Sequence, residues 1–403
     1  MRILAADIGT GTQDILLFDS EKEIENSLLM VMPSPTQVIA GKVREATEAG
    51  KDIVLTGTIM GGGPCVRAIR AHMQAGNSVY ATERAALTIN DNLEKVKSFG
   101  IRLVSEEEAR ELTKEGTKAG NPVEIVMRDF DPEAVSKALA GFGVTVPEMF
   151  AVAVQDHGNA PDKSNRVYRF ELFREFIEKG GELEHFVYRA EEIPQAFTRM
   201  KAQADDILGA EGKKGVYGAQ GETEAAETPE IAETPGTETP EIRAIFMDTG
   251  PAAIFGALTD PEAWKPSIVV NIGNGHTLGA LVLENRITAL FEHHSSRMDP
   301  EKLQDYIIRL ADGSLGFDEV FEDGGHGAYI KEATGFASVR SVVVTGPKRG
   351  MLEKLPKREI RPEISEKLHF AAPFGSMMLS GCFGLLAGFF EKYPETSIKL
   401  INH

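Results

Sequence analysis

Cysteine, tryptophan and basic charge are all scarce in this 403-residue chain. Its two cysteines, Cys65 and Cys382, cannot build a disulfide scaffold, so a reducing, cytoplasmic compartment is the expectation. Two thiols also fall short of a Cys₄ iron–sulfur cluster or a three-cysteine radical motif. Lys and Arg number 43 against 61 Asp and Glu, a formal charge of −18. That balance excludes a general nucleic-acid binder, which needs basic surface to displace counterions. Long apolar runs are missing, with one exception. Residues 371–390 carry no charge and match a bilayer in length, but they include four Gly, two Ser and one Pro. A buried, close-packed helix is the better expectation, and no membrane partner is expected. At the N-terminus Asp7 follows the apolar Met1–Ala6 at once, so no secretory leader is expected. Neither GxxxxGK[ST] nor HExxH occurs, and no GxGxxG follows a strand.

What is present suffices for a large core. Hydrophobic residues are 42% of the chain, and its length predicts two or three domains. Residues 221–241 are different in kind: they hold seven Glu, no Lys or Arg, and Glu-Thr-Pro three times. Such a segment cannot bury enough apolar surface to offset its ordering entropy. The expected organisation is an N-terminal domain over 1–207, an acidic disordered linker or insertion over 208–241, and a C-terminal domain over 242–403. The acidic segment reads as a solvated tether or as a docking element.

On the left, Ile3–Asp7 and Ile15–Asp19 read as a strand–turn–strand hairpin. Further strands are expected at Ile53–Leu55, Ile101–Val104, Pro122–Met127 and Met149–Gln155. Helices are expected at Cys65–Gln74, at Ser105–Lys118 with Ser105 as cap, and at Tyr168–Lys179. On the right, Arg243–Met247 is a strand and Ala252–Leu258 a helix. Ser267–Asn271 and Leu278–Leu283 flank a second Gly-rich turn, and Ser341–Thr345 is a strand. Hairpins mixed with strand–helix units imply an α/β fold with mixed sheets.

Several turns carry candidate chemistry. Asp7-Ile-Gly9-Thr10-Gly11-Thr12-Gln-Asp14 combines glycines, which let backbone amides approach an anion, with hydroxyl donors and an Asp that could orient hydrated Mg²⁺. A plain capped turn is the alternative reading. Asn271-Ile-Gly273-Asn274-Gly275-His276-Thr277 is a second such turn, although Asn-Gly alone makes hairpins. One hairpin per half could hold a triphosphate between them. Asp248 ends a strand before Gly250-Pro251, where it could accept a substrate proton or merely cap a helix. Gln155-Asp156-His157-Gly158-Asn159 also ends a strand, with Asp156 as a second base candidate. Val344-Thr-Gly346-Pro347 could hold an adenine or ribose edge. Ser376, Ser380, Gly384 and Gly388 recur every four residues and give a flat, small face for close backbone approach. His293 and His294, adjacent on a strand, point to opposite faces, and His326 lies in a Gly-rich loop. Their spacing argues against a structural metal.

The order of these parts resembles the ASKHA superfamily of acetate and sugar kinases, heat-shock chaperones and actin. Asp7-Ile-Gly-Thr-Gly-Thr with Leu-Phe-Asp19 is similar to the FGGY carbohydrate-kinase pattern DxGTTSxRxxLFD. Asp248-Thr-Gly-Pro-Ala-Ala-Ile-Phe-Gly resembles DxxAAxFG, which carries that family's catalytic base. Asn271–Thr277 looks like the second phosphate hairpin, Val342–Gly350 the adenosine motif, and Gln155-Asp-His-Gly158 loosely the sugar-site QMHG. The order holds from residue 7 to residue 388.

The resemblance implies two RNase H-like domains hinged around ATP and Mg²⁺. Asp7 would hold the metal through water, and Asp248 would be the base. Gly9, Thr10, Gly11, Thr12, Gly273, Asn274, Gly275, Thr277 and Gly346 would line the nucleotide. Asp14 stands where the FGGY pattern has Arg, and the sugar-binding segments do not align. Overall the chain is similar to a prokaryotic family labelled as pyruvate formate-lyase activating enzymes, a label that conflicts with two cysteines. Two functions follow: a phosphotransferase on a small metabolite, or a slow ATPase or switch acting on a protein partner.

Overall fold

A computed structural model describes residues 1–114, 122–160, 162–209 and 242–396. All but the first two residues of the expected 208–241 linker lie outside the described residues, as do residues 115–118 of the helix expected over 105–118.

The chain opens with β1 (Arg2–Ile8), β2 (Thr12–Asp19) and β3 (Leu28–Pro33). β1 is buried on both faces, as its near-continuous apolar run requires of a central strand. A separate layer follows, formed by α1 (Pro35–Glu48), β4 (Ile53–Gly57), α2 (Gly63–Gln74), β5 (Val79–Ala81), α3 (Glu83–Ala86), α4 (Leu93–Ser98), β6 (Arg102–Leu103), α5 (Glu106–Thr113) and β7 (Val123–Met127). Its four strands are parallel in the order β6-β5-β4-β7, and it has its own core around Ile39, Val43, Ile53, Leu55 and Ile69.

The chain then returns through α6 (Pro132–Ala140), β8 (Met149–Val154), α7 (Asn165–Lys179), β9 (Val187–Arg189) and α8 (Thr198–Leu208). Beyond the linker come β10 (Arg243–Met247) and α9 (Thr249–Ala257). The second half is β11 (Ser267–Ile272), β12 (His276–Leu283), β13 (Arg286–His294), α10 (Pro300–Asp312), α11 (Phe317–Glu322), β14 (Gly327–Ile330), β15 (Ser341–Thr345), α12 (Gly350–Glu353), α13 (Pro362–Ser365), β16 (Leu368–Phe370) and α14 (Ser380–Lys392).

Two six-stranded mixed sheets result, in the orders β3-β2-β1-β8-β10-β9 and β14-β13-β12-β11-β15-β16. Five strands of one repeat five of the other. β3-β2-β1 and β13-β12-β11 are antiparallel; β1-β8-β10 and β11-β15-β16 are parallel. This is the α/β fold of two RNase H-like domains with mixed sheets.

The domain boundaries differ from the expected ones. β10, placed with the C-terminal part at 242–403, pairs with β8 and β9 in the first sheet. Its apolar Ala-Ile-Phe-Met run is buried there. α14 also packs back on β1, β8 and β10, although it lies near the C-terminal end.

The expected helix over 371–390 is shorter at its start. Pro373 and the positive φ of Phe374 and Gly375 put a 3₁₀ turn before α14. The small face does what was expected of it. A Cβ on Gly384 would collide with the Ala252 carbonyl of α9, and one on Gly256 with the Ser380 carbonyl of α14. The two helices cross in backbone contact. Among the described residues no helix is long and apolar enough to cross a membrane.

Candidate functional site: an interdomain cleft

The two Gly-rich hairpins meet. The β1–β2 turn supplies Gly9, Thr10 and Thr12 to one cleft, and the β11–β12 turn supplies Asn271, Gly273, Asn274 and Gly275. Gly11 lies against the Asn274 side chain, and Gly275 lies close to the Thr10 hydroxyl, so the turns touch across the domains. Gly346 and Pro347 line the same cleft after β15. Gly346 has φ +95°, and a Cβ there would collide with Asn271 and Ile272. Thr277 does not line it. This side chain is fully buried and hydrogen-bonded to the Ser295 hydroxyl at 2.9 Å, which corrects its expected contact with a ligand.

Asp7 and Asp14 face each other across the β1–β2 pair and both line the cleft. Each has a buried Oδ1 with no hydrogen-bond partner. Burial first, then the charges of Asp14 and Asp248, raises the Asp7 carboxyl well above its usual range. Burial lifts Asp14 to about 6. Two buried carboxylates side by side, each with one unpartnered oxygen, offer an all-oxygen donor set that a hard cation such as Mg²⁺ would fit. Asp14 thus shares one end of the cleft with Asp7. The first turn of α14 closes this end, with Gly381 so near Asp7 that a Cβ would overlap the carboxylate.

Neither expected base is free. Asp248 Oδ2 accepts from Arg169 Nη1 at 2.7 Å and from the Asp156 amide at 3.0 Å. Its Oδ1 accepts from Arg169 Nη2 at 2.9 Å and from the Gly250 amide at 3.0 Å. A carboxylate has about four acceptor positions, and here four donors occupy them. Asp248 thus caps α9 and anchors Arg169, which corrects its expected role as general base. Asp156 is the N-terminal anchor of α8. It accepts from the Arg199 and Met200 amides at 2.9 Å each and from Gly158 at 2.9 Å. Burial lifts it to about 6 against those bonds, but its oxygens are likewise engaged.

Arg169 was not singled out by its sequence, where it is one charge in an amphipathic helix. From α7 it reaches both domains: Asp248 after β10, and Glu292 on β13, whose Oε2 accepts from Arg169 Nε at 2.7 Å. Burial alone would raise Glu292, but the Arg169 guanidinium outweighs it and holds the carboxyl below its usual range. Gln155 extends the network, donating to Glu292 Oε1 at 3.2 Å and contacting His276 Nδ1 at 2.8 Å.

Beyond Gln155 the cleft widens into a chamber of about 430 Å³ between the inserted layer and the two domains. It is lined by Gly61–Gly63, Arg67, Asp91, Asn165 and Arg199, among others. Four imidazoles gather at this wall. His276 lies 4.7 Å from His294, 4.8 Å from His326 and 5.6 Å from His157, ring centre to ring centre. As expected of alternating strand positions, His293 faces away, with Nε2 2.9 Å from Asp323. Burial lowers His276 to about 4 and His326 to about 3, and holds His157 well below its usual range. All three are neutral near pH 7. Sequence spacing missed this cluster, yet a signal existed: His157, His276 and His326 each stand beside glycine in a turn at a strand end.

Two RNase H-like domains with a cleft lined by facing hairpins define an ASKHA-like fold. The chain belongs to the family described as "Putative pyruvate format-lyase activating enzyme (DUF1786)", whose model matches residues 60–351. No curated protein matches. Among solved structures, the ethanolamine utilization protein EutJ from Carboxydothermus hydrogenoformans aligns at 12% identity, over 97% of this chain and 90% of that one, with a TM-score of 0.27. An exopolyphosphatase-like protein aligns at 9% identity over 98% and 90%, with a TM-score of 0.24. Neither score adds to what strand order already establishes.

The residues do not fit a cysteine-held iron–sulfur cluster. Cys65 sits in α2 of the inserted layer with its thiol on the Gly62 carbonyl at 2.8 Å. Cys382 sits in α14 with its thiol on the Asp14 carbonyl at 3.1 Å. Both are buried, and burial raises both thiols, Cys65 to about 11. Two separated, protonated thiols cannot hold an iron–sulfur cluster.

Proposed function

We propose that the chain binds ATP with Mg²⁺ between its domains and transfers the terminal phosphoryl group to a small hydroxylated or carboxylated metabolite in the adjoining chamber. The observation that carries this reading is the convergence of both Gly/Thr hairpins on a cleft whose floor holds the unpartnered Asp7 and Asp14 carboxylates. Asp7 and Asp14 would hold the metal, which when bound neutralises phosphate charge. Backbone amides of Thr10, Gly11, Asn274 and Gly275 would donate to phosphate oxygens, and Gly346 would leave room for the nucleoside. Arg169 ties the domains together at the base of the cleft, so closure would align donor and acceptor and exclude water.

Isothermal titration with ATP and Mg²⁺ tests this, run beside Asp7→Ala. Micromolar to millimolar binding in the natural chain, lost in the variant, is expected. No heat at millimolar ATP in either protein defeats the reading.

One observation favours a second reading. With Asp248 and Asp156 both fully engaged, no free carboxylate base stands beside the acceptor site. That supports a slow ATPase or nucleotide-dependent switch acting on a protein partner, for which turnover without added metabolite would be the signature.

A further inference from the structure

His326 is a buried residue with nothing to bond. Its side chain is fully enclosed, yet neither Nδ1 nor Nε2 has a hydrogen-bond partner; the nearest carboxylate oxygen, Glu292 Oε2, is 4.0 Å from Nδ1. His276 Nε2 is buried and unpartnered too. Buried polar groups are nearly always hydrogen-bonded, so two such rings at one wall point to a ligand. His157 completes a triangle: one ring nitrogen from each of the three histidines lies within 4.8 Å of the other two.

We infer that His157, His276 and His326 form a binding site for a transition-metal dication of the zinc class, separate from the Asp7–Asp14 pair. Three neutral imidazoles with no thiolate suit zinc, and three protein ligands leave a position open. His157 and His276 line the chamber, so the open position would take water or an oxygen of a substrate there. Nitrogens on a tetrahedral zinc at about 2.0–2.1 Å stand about 3.3 Å apart, so each ring needs to move inward by less than about 1 Å. Glu292, held by Arg169, puts one negative charge behind the rings. Ligation through His276 Nε2 places the ring proton on Nδ1, and the Gln155 carboxamide must turn its oxygen to accept it.

The three ligands come from different parts of the fold: the end of β8, the start of β12 and the loop before β14. His157 belongs to the first domain, His276 and His326 to the second. The bound ion would therefore join the domains across the chamber. This inference does not depend on the nucleotide reading, because metal content and affinity are measured without ATP.

The test is metal analysis of the purified full-length protein. The protein is then stripped with chelator and titrated with Co²⁺, followed by visible absorption, and with Zn²⁺ by equilibrium dialysis. One equivalent should bind at micromolar or lower concentration with a four- or five-coordinate cobalt spectrum. His326→Gln and His157→Gln should each weaken it at least tenfold, whereas Asp7→Ala should not. Absence of stoichiometric binding by the natural chain overturns the inference, whatever the variants do. So does binding that survives both histidine changes in variants with natural circular dichroism. Loss of binding in Asp7→Ala alone would assign the ion to the carboxylate pair and overturn it equally.

Discussion

Asp14 stands directly opposite Asp7, and the fold gives neither carboxylate Oδ1 a donor. Burial lifts its pKa to about 6 in the folded chain, above the ordinary aspartate value of about 3.8. The folded state therefore holds that proton longer than the unfolded chain does. The resulting stabilisation is full below pH 4 and is lost as pH rises through about 6. Removing the charge should then help only at higher pH. In chelator, Asp14→Asn should match the natural chain in stability at pH 3 but exceed it at pH 7.5, by on the order of 1–3 kcal/mol. Added Mg²⁺ should raise the natural chain and leave the variant nearly unmoved. Equal melting temperatures at pH 7.5 would show that the pair is not strained. At this scale the sequence was legible where a backbone turn defines a site, as at Gly9–Thr12 and Gly273–Gly275. It was misleading where a side chain's partners define its role. Asp248 sits at a strand end in either reading, and only Arg169, 79 positions away along the chain, decides that it is an anchor.

α9 and α14 illustrate the element scale. Their contact depends on the absence of side chains, and the four-residue spacing of Ser380, Gly384 and Gly388 announced it. The neighbours of each glycine differ in kind. At Gly384 an added methyl meets the Ala252 carbonyl, which belongs to the other helix's backbone. At Gly388 it meets the ends of Val187 and Met247 at 2.9 and 3.0 Å, which can rotate. Gly384→Ala should therefore cost about 1–3 kcal/mol or more by forcing the helices apart, and Gly388→Ala distinctly less. Thermal or urea unfolding of the two variants measures this, and equal costs would contradict a backbone-to-backbone crossing. Other elements were read from local chemistry alone. Ser105 caps α5 in a reciprocal box with Glu108, as an Ser-x-x-Glu start dictates. The four-stranded inserted layer was not recognised as a unit, because its strands are two to five residues long and carry no periodicity of their own.

For the whole molecule, the decisive fact is that β10 rejoins the first sheet. Both ends of the acidic segment are thereby tied to one domain, since α8 packs on β8 and β10. Deleting residues 221–241 should leave affinity for ATP and Mg²⁺ within about twofold, because the described residues that line the cleft all come from other parts of the chain. If the chain works as a switch with this segment as its docking element, the same deletion should abolish recovery of its protein partner. Loss of nucleotide affinity on deletion would instead make the segment part of the site.

The sequence alone determined the local grammar: two strand–turn–strand hairpins with Gly and Thr at their tips, a small-faced helix and an acidic segment with too little apolar surface to bury. These follow from backbone freedom, period and composition, which act within a few residues. Tertiary structure decided which donors each carboxylate meets, that Arg169 ties the domains together, and that three histidines about 50 to 170 positions apart share one wall. Those outcomes depend on burial and on partners brought together across sheets. A turn is a property of its own residues, whereas a site is a property of the distances between turns.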